Sequence, residues 1–330
     1  MSSGSLAWFF PGQGSQLHGM ALELLADDRV VRDTFVEASD LLGYDLELLI
    51  GDDSDGRLHQ TQYTQPALLV SSVAMVRWWR AHGGVEPSHV AGHSLGEYSA
   101  LVAVGAIDFA DAVPLVALRG RVMASCVDGG GVDGDGAAVN GDGSGCMAAI
   151  LGLDDAQIDA VCQQATDQDG AVWPANFNCP GQVVVAGDAV AVARAVVVAK
   201  ESGAKRAVVL NVSAPSHTPL MAQAAEAVAE RLAAITITAP DRALWCNASA
   251  TQLSDAASVR QALVDQLTQP VRWSAAVQGI AQAGVTHAVE MGPGRVLMGL
   301  VRRIDRGIKV MTGDTPAQMA ANIEAVGGVV

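Results

Sequence analysis

The sequence is short of several things, and each shortage excludes a class of protein. Only 4% of its residues are aromatic while Ala, Val and Gly abound, which argues against a β-sandwich and for helices packed closely on a sheet. Lys and Arg number 20 against 35 Asp and Glu, a formal net charge of −15. Such a chain lacks the basic face that phosphate binding needs, so nucleic acid is excluded as a general partner. The five cysteines, Cys126, Cys146, Cys162, Cys179 and Cys246, are odd in number and form no CxxC pair. They read as reduced core residues, neither a disulfide framework nor zinc ligands. No uncharged apolar run reaches the ~18 residues of a membrane span. The short apolar stretch Leu6 to Phe10 has no basic region ahead of it, so no secretory leader is expected and the protein should be cytosolic, away from membranes. A GxxxxGK[ST] phosphate loop is missing, and no metal or cofactor is expected.

What is present points to an α/β protein. At 330 residues, half of them hydrophobic, the chain has material for one large domain carrying a smaller insertion, or for two domains. Leu6 to Phe10 reads as a buried strand ending in the glycine-rich loop Pro11-Gly12-Gln13-Gly14-Ser15-Gln16. Helical patterns cover Asp33 to Leu42 and Thr64 to about His82, with Pro66 in a first turn. Asp108 and Asp111 offer caps for a helix reaching Cys126, and Pro114 is easiest to place if Asp111 is the cap. The stretch 128–145 is acidic, glycine-rich and without hydrophobic period, and is expected to be a flexible loop. Met147 to Leu151, Asp154 to Thr166, Ala171 to Ala175, Val183 to Ala186, Asp188 to Ser202 and Ala207 to Val212 spell strand-helix-strand-strand-helix-strand, a ferredoxin-like βαββαβ unit. Asn176 to Gly181 would be the turn between its middle strands. The expected division is a large catalytic domain of residues 1–127 and 213–330, the loop 128–145, and a small subdomain of residues 146–212.

The chemistry centres on Gly92-x-Ser94-x-Gly96. A serine between two glycines at this spacing suits a sharp strand-to-helix turn, where larger neighbours would meet the backbone. The apolar run Leu95 to Ile107 fits the following helix, whose free N–H groups would favour a developing oxyanion. A serine hydroxyl needs a base, and histidine is the usual one. Of seven histidines, His18, His59, His82, His89 and His287 sit in surface or strand contexts. His93, beside the serine on a tight turn, would point away and buttress it, and His217 follows a Pro-Ser loop just before a helix. The histidines and cysteines do not assemble a full zinc ligand set, which leaves acid–base work as the better use.

Taken in order, Pro11 to Gln16, Thr64-Gln65-Pro66-Ala67, Gly92-His93-Ser94-Leu95-Gly96-Glu97-Tyr98, Arg119-Gly120-Arg121, Asn176-Phe177-Asn178, Pro215-Ser216-His217, Gln266 with Pro270-Val271-Arg272-Trp273, and Gly292-Pro293-Gly294 resemble the malonyl-CoA:acyl-carrier-protein transacylases of bacterial fatty-acid synthesis. The likeness spans nearly the whole chain and implies an α/β-hydrolase-like large domain with a parallel sheet, interrupted by the ferredoxin-like subdomain. It implies further that Ser94 attacks the thioester of malonyl-CoA and that His217 takes its proton, oriented by the backbone carbonyl of Gln266. Backbone N–H groups of Gln13 and Leu95 would hold the oxyanion. Arg119 would pair with the free malonyl carboxylate, a fork-to-fork match that guanidinium makes. The malonyl group would then pass to the phosphopantetheine thiol of acyl carrier protein, in a protein expected to act as a monomer. The loop 128–145 is longer and more acidic than the short turn such proteins would have there. A serine hydrolase or thioesterase sharing GxSxG, a polyketide acyltransferase with another extender unit, and a non-catalytic carrier-binding scaffold are the alternatives. The hydrolase would need an acid between serine and histidine in chain order.

Overall fold

A computed structural model describes residues 5–126, 145–210 and 214–327. In chain order the strands are β1 Ser5–Phe10, β2 His89–Gly92, β3 Gly145–Leu151, β4 Val172–Cys179, β5 Gln182–Asp188, β6 Arg206–Val209, β7 Ala243–Trp245, β8 Gln252–Leu253, β9 Val285–Glu290 and β10 Lys309–Met311. The large sheet runs β10-β9-β1-β2-β7-β8. Its neighbours pair in parallel except for β8, which lies antiparallel at the edge. The second sheet runs β4-β5-β3-β6 and is antiparallel, the order expected of a βαββαβ unit.

β1 is the spine of the large sheet, and its unbroken apolar sequence follows from being covered on both faces. Leu6, Trp8 and Phe10 enter the core that holds Leu68, Trp79 and Tyr98. Ala7 and Phe9 enter the opposite core with Trp273 and Val277. Phe10 lies opposite Gly92 and Phe9 opposite Glu290, so β1, β2 and β9 end level with one another. Parallel α/β sheets place their sites beyond such strand ends.

The small sheet has its own core, in which Ala148, Ile150 and Val185 meet Ile158, Val161 and Val192 of its two helices. Its other face, with Met147 and Val184, looks into the cleft between the sheets. Across that cleft Phe177 N–H donates to Val271 O at 2.9 Å and Val271 N–H donates to Ala175 O at 2.9 Å, a short parallel bridge.

Several elements differ from expectation. The helix expected from Thr64 begins at Thr61 and runs to Ala81, leaving Pro66 inside it rather than in its first turn. The helix Phe109–Ser125 is capped at Asp108, not Asp111, and contains Pro114. Asn176 to Cys179 is strand rather than turn; β4 continues through two register shifts, and Pro180-Gly181 alone make the corner. The helices Trp273–Gln282 and Pro316–Gly327 were not read from sequence. The expected loop 128–145 lies outside the described residues except Gly145, which opens β3. Among the described residues no helix is long and apolar enough to cross a membrane. The five cysteines are unpaired.

Candidate active site

Ser94 stands where β2 turns into the helix Gly96–Ala103. Its φ of 51° is left-handed, a conformation rare outside glycine and costly unless its surroundings enforce it. The enforcement is visible. A Cβ on Gly92 would overlap the Gly96 carbonyl, and one on Gly96 would overlap the Phe10 carbonyl, so the chain can double back only because both are glycine. Asn247, just past β7, pins the turn from below: its Oδ1 accepts from Ser94 N–H at 2.7 Å and its Nδ2 donates to Gly92 O at 2.7 Å.

His217 Nε2 lies 2.8 Å from Ser94 Oγ, across 123 residues of chain. Its Nδ1 lies 2.6 Å from the Gln266 backbone oxygen. A carbonyl can only accept, so Nδ1 carries the hydrogen and Nε2 presents its lone pair to the Ser94 hydroxyl. Burial, helped by the positive charge of Arg119, pushes His217 down to about 3, which keeps the ring neutral at neutral pH with its Nε2 lone pair unprotonated. His217 is itself left-handed, with φ 64°.

Arg119 comes from the helix Phe109–Ser125 and is 1% exposed. One terminal nitrogen donates to Gln65 Oε1 at 2.8 Å; the other donates to Gln266 Oε1 at 2.9 Å and approaches Ser94 Oγ at 3.3 Å. Its Nε has no partner, and the guanidinium lies 5.3 Å from the centroid of the Tyr98 ring. Burial lowers its proton affinity, although an arginine remains a cation. Neutral amide oxygens thus hold a buried positive charge beside the serine and leave N–H groups free.

Gln13, Gln65, Ser94, Leu95, Arg119 and His217 line one cavity. Gln266 is fully buried, bonded to Arg119 and to the Ser94 carbonyl, and does not line the cavity. Among the described residues the backbone N–H groups of Gln13 and Leu95 donate to no protein acceptor, while the Gln13 side chain reaches Thr61 Oγ1 at 3.2 Å. His93 lines the same cavity, and its Nε2 meets Asn178 Oδ1 at 2.8 Å.

Three participants were missed. Gln65 was quoted within a motif without a role. Glu97 sits in the first turn after the elbow, fully buried, its oxygens accepting from Asn247 N–H and from the Gln266 side chain. Asn247 follows an apolar strand. The available signal was the pairing of a buried helix-start acid with amides far along the chain, which no local pattern reports.

A family model described as acyl transferase domain matches residues 7–313. An Escherichia coli O157:H7 protein named malonyl CoA-acyl carrier protein transacylase is 47% identical over 318 residues, 96% of this chain and 98% of its own. The solved malonyl CoA-acyl carrier protein transacylase of Coxiella burnetii superposes with a TM-score of 0.92 at 41% identity, covering 98% of both chains. A malonyl-transacylase solved in complex with a type II polyketide acyl-carrier protein gives 0.91 at 44% identity, covering 97% of this chain and 99% of its own.

Proposed function

The chain belongs to the malonyl-CoA:acyl-carrier-protein transacylase family, and from that premise we propose that it carries malonyl groups from malonyl-CoA to acyl carrier protein through a malonyl-Ser94 intermediate. The observation that carries the reading is Arg119: a buried cation beside the nucleophile, held by two amide oxygens. A buried charge without an ionic partner is costly, and an acyl group bearing a carboxylate supplies that partner.

In the first half-reaction His217 Nε2 accepts the Ser94 Oγ proton as Oγ bonds to the thioester carbon. The C–S bond breaks, and His217 returns the proton to the leaving CoA sulfur. In the second, His217 deprotonates the phosphopantetheine thiol of the carrier, whose sulfur takes the malonyl group while Ser94 recovers the proton. Gln13 and Leu95 line the cavity, and their free N–H groups suit the tetrahedral oxyanion. Gln266 keeps His217 in the productive tautomer through a carbonyl, and this supports a dyad over the carboxylate-completed triad of a hydrolase.

We propose in addition that residues 1–127 and 213–330 form the catalytic part and 146–212 an inserted part, a division supported by their separate cores. The protein is proposed to work as a cytoplasmic monomer supplying fatty-acid synthesis. The solved polyketide carrier complex favours a polyketide carrier as the second reading. Intact mass after mixing with malonyl-CoA, methylmalonyl-CoA and acetyl-CoA tests the whole scheme: a malonyl adduct on the wild type that Ser94→Ala lacks is expected, and an adduct retained by that variant would overturn it.

A further inference from the structure

Glu97 is 0% exposed and has no part in the steps above. It lies one helical turn beyond Ser94, and both its oxygens are used. Oε1 accepts from Asn247 N–H at 3.1 Å, and Oε2 accepts closely from Gln266 Nε2. Gln266 Nε2 also donates to Ser94 O at 3.0 Å, while Gln266 Oε1 accepts from Arg119. The amide therefore lies between an anion and a cation, its NH₂ toward Glu97 and its oxygen toward Arg119. Only a group that accepts at both oxygens can sustain this, because the Asn247 backbone N–H and the Gln266 NH₂ are both donors.

We propose that Glu97 is a positioning residue: its ionised carboxylate fixes the orientation of the Gln266 amide, which in turn presents Arg119 to the carboxylate of the acyl group. Glu97 acts here through the proposed role of Arg119. A glutamine at 97, or a protonated Glu97, offers one acceptor and one donor. The Asn247 N–H cannot turn and claims the acceptor, which leaves a donor facing the Gln266 NH₂. Gln266 then turns over, its NH₂ meets the Arg119 cation, and its oxygen faces Ser94 O. Arg119 loses an acceptor and shifts, while the His217 contact, made by the Gln266 backbone, survives. The damage falls on recognition of the acyl carboxylate more than on proton transfer.

Burial raises Glu97 to about 7, against the opposing pull of Gln266, Asn247 and Arg119. The groups around it keep one charge state across neutral pH: Arg119 on the neighbouring helix is a cation, Tyr98 beside it is pushed up to about 12, the Cys246 thiol beyond β7 is raised by burial, and His217 is held down to about 3. His93 on the turn is lowered by burial. Glu97, raised to about 7, changes charge in that range, and its ionised form prevails above that value.

The experiment compares kcat/KM for malonyl-CoA and acetyl-CoA, from about pH 6 to about pH 8, in wild type, Glu97→Gln and Arg119→Ala; the malonyl carboxylate stays ionised throughout. In wild type the malonyl-to-acetyl ratio should rise with pH. In Glu97→Gln it should be lower by about tenfold or more and flat with pH. Equal losses on both substrates, an unaltered ratio, or a pH dependence that persists in Glu97→Gln would overturn the proposal. If Glu97→Gln does not fold, Glu97→Asp decides, since it keeps both acceptor oxygens but withdraws them from Gln266: a lowered malonyl-to-acetyl ratio supports the role and an unaltered one overturns it. An unchanged ratio in Arg119→Ala would instead mean that Arg119 does not read the carboxylate, a failure of the underlying function and separable from that of Glu97.

Discussion

Arg119 donates to the side-chain oxygen of Gln266 at 2.9 Å, and among the described residues no carboxylate lies within ion-pair distance of that guanidinium. The cation is thus solvated by amides and open to an incoming anion. Acetyl-CoA would leave it unpaired, so discrimination in favour of malonyl-CoA should be on the order of 10² or more. Arg119→Ala should collapse that ratio of specificity constants, mainly by losing malonyl transfer. Arg119→Lys should recover little, since it keeps the charge and loses the fork.

Replacing His217, the proposed base, is the second test. His217→Ala should slow acylation by about 10² to 10⁴, measured as single-turnover release of CoA at neutral pH. A near-normal rate would mean that another group takes the Ser94 proton. The same side chain should shape acid stability. Its folded value of about 3 lies below the unfolded value of about 6.5, so the neutral ring's contribution is fully present above the unfolded value and is lost as pH falls toward the folded one. His217→Ala should lose less stability than wild type over that window in acid titrations followed by circular dichroism.

For a carrier expected to be acidic, docking onto this acidic protein needs a local basic surface. Leu151 of β3 pairs with Gln182 on one side and Arg206 on the other, and its oxygen accepts from Lys205 N–H at 2.8 Å. Arg303 reaches Gln182 Oε1 at 2.6 Å from the large-sheet side, with Arg302 adjacent. Lys205, Arg206 and Arg303 therefore stand about one end of the small sheet, with Arg302 next to Arg303 in the helix Val296–Ile304. Charge reversal at Arg206 and Arg302 should raise KM for the carrier and leave that for malonyl-CoA nearly unchanged. Equal changes in both would remove this surface from consideration.

Gly92 offers a stability test. A Cβ there would meet main-chain atoms of Gly96 and Glu97, which cannot step aside without undoing the turn. Gly92→Ala should cost about 3 kcal/mol or more, read as a fall in urea midpoint or as insoluble expression. Gly299, in the helix Val296–Ile304, has open space where its Cβ would stand. Alanine there should be neutral or stabilising by up to about 1 kcal/mol.

Much of the fold was legible because its signals are local. The apolar run of β1, the two glycines around Ser94, and the βαββαβ order each lie within one stretch of chain. The residues misread were those whose neighbours are distant. Asn176 to Cys179 has the composition of a turn, yet β5 on one side and the Val271 bridge on the other supply the backbone partners that make it strand. Pro66 and Pro114 sit inside helices packed against each other in the main core, where burial outweighs one missing hydrogen bond each. Ser94 was marked by its flanking glycines, the roles of His217 and Arg119 came from resemblance to a family, and the structure brings all three to one cavity. Glu97 was passed over because an acid in a helix's first turn is ordinary. Its meaning comes from partners 150 and 169 residues away.

The bridge between Val271 and β4 has a mechanical consequence. The strand wall of the cleft is riveted to the segment that leaves the helix Ala256–Thr268, whose last turns include Gln266. A swing of the small sheet that kept these two hydrogen bonds would pivot about them rather than lift away. About five residues of backbone separate this bridge from the Gln266 oxygen that meets His217 Nδ1, so a displacement of one wall of the cleft would be felt close to that histidine.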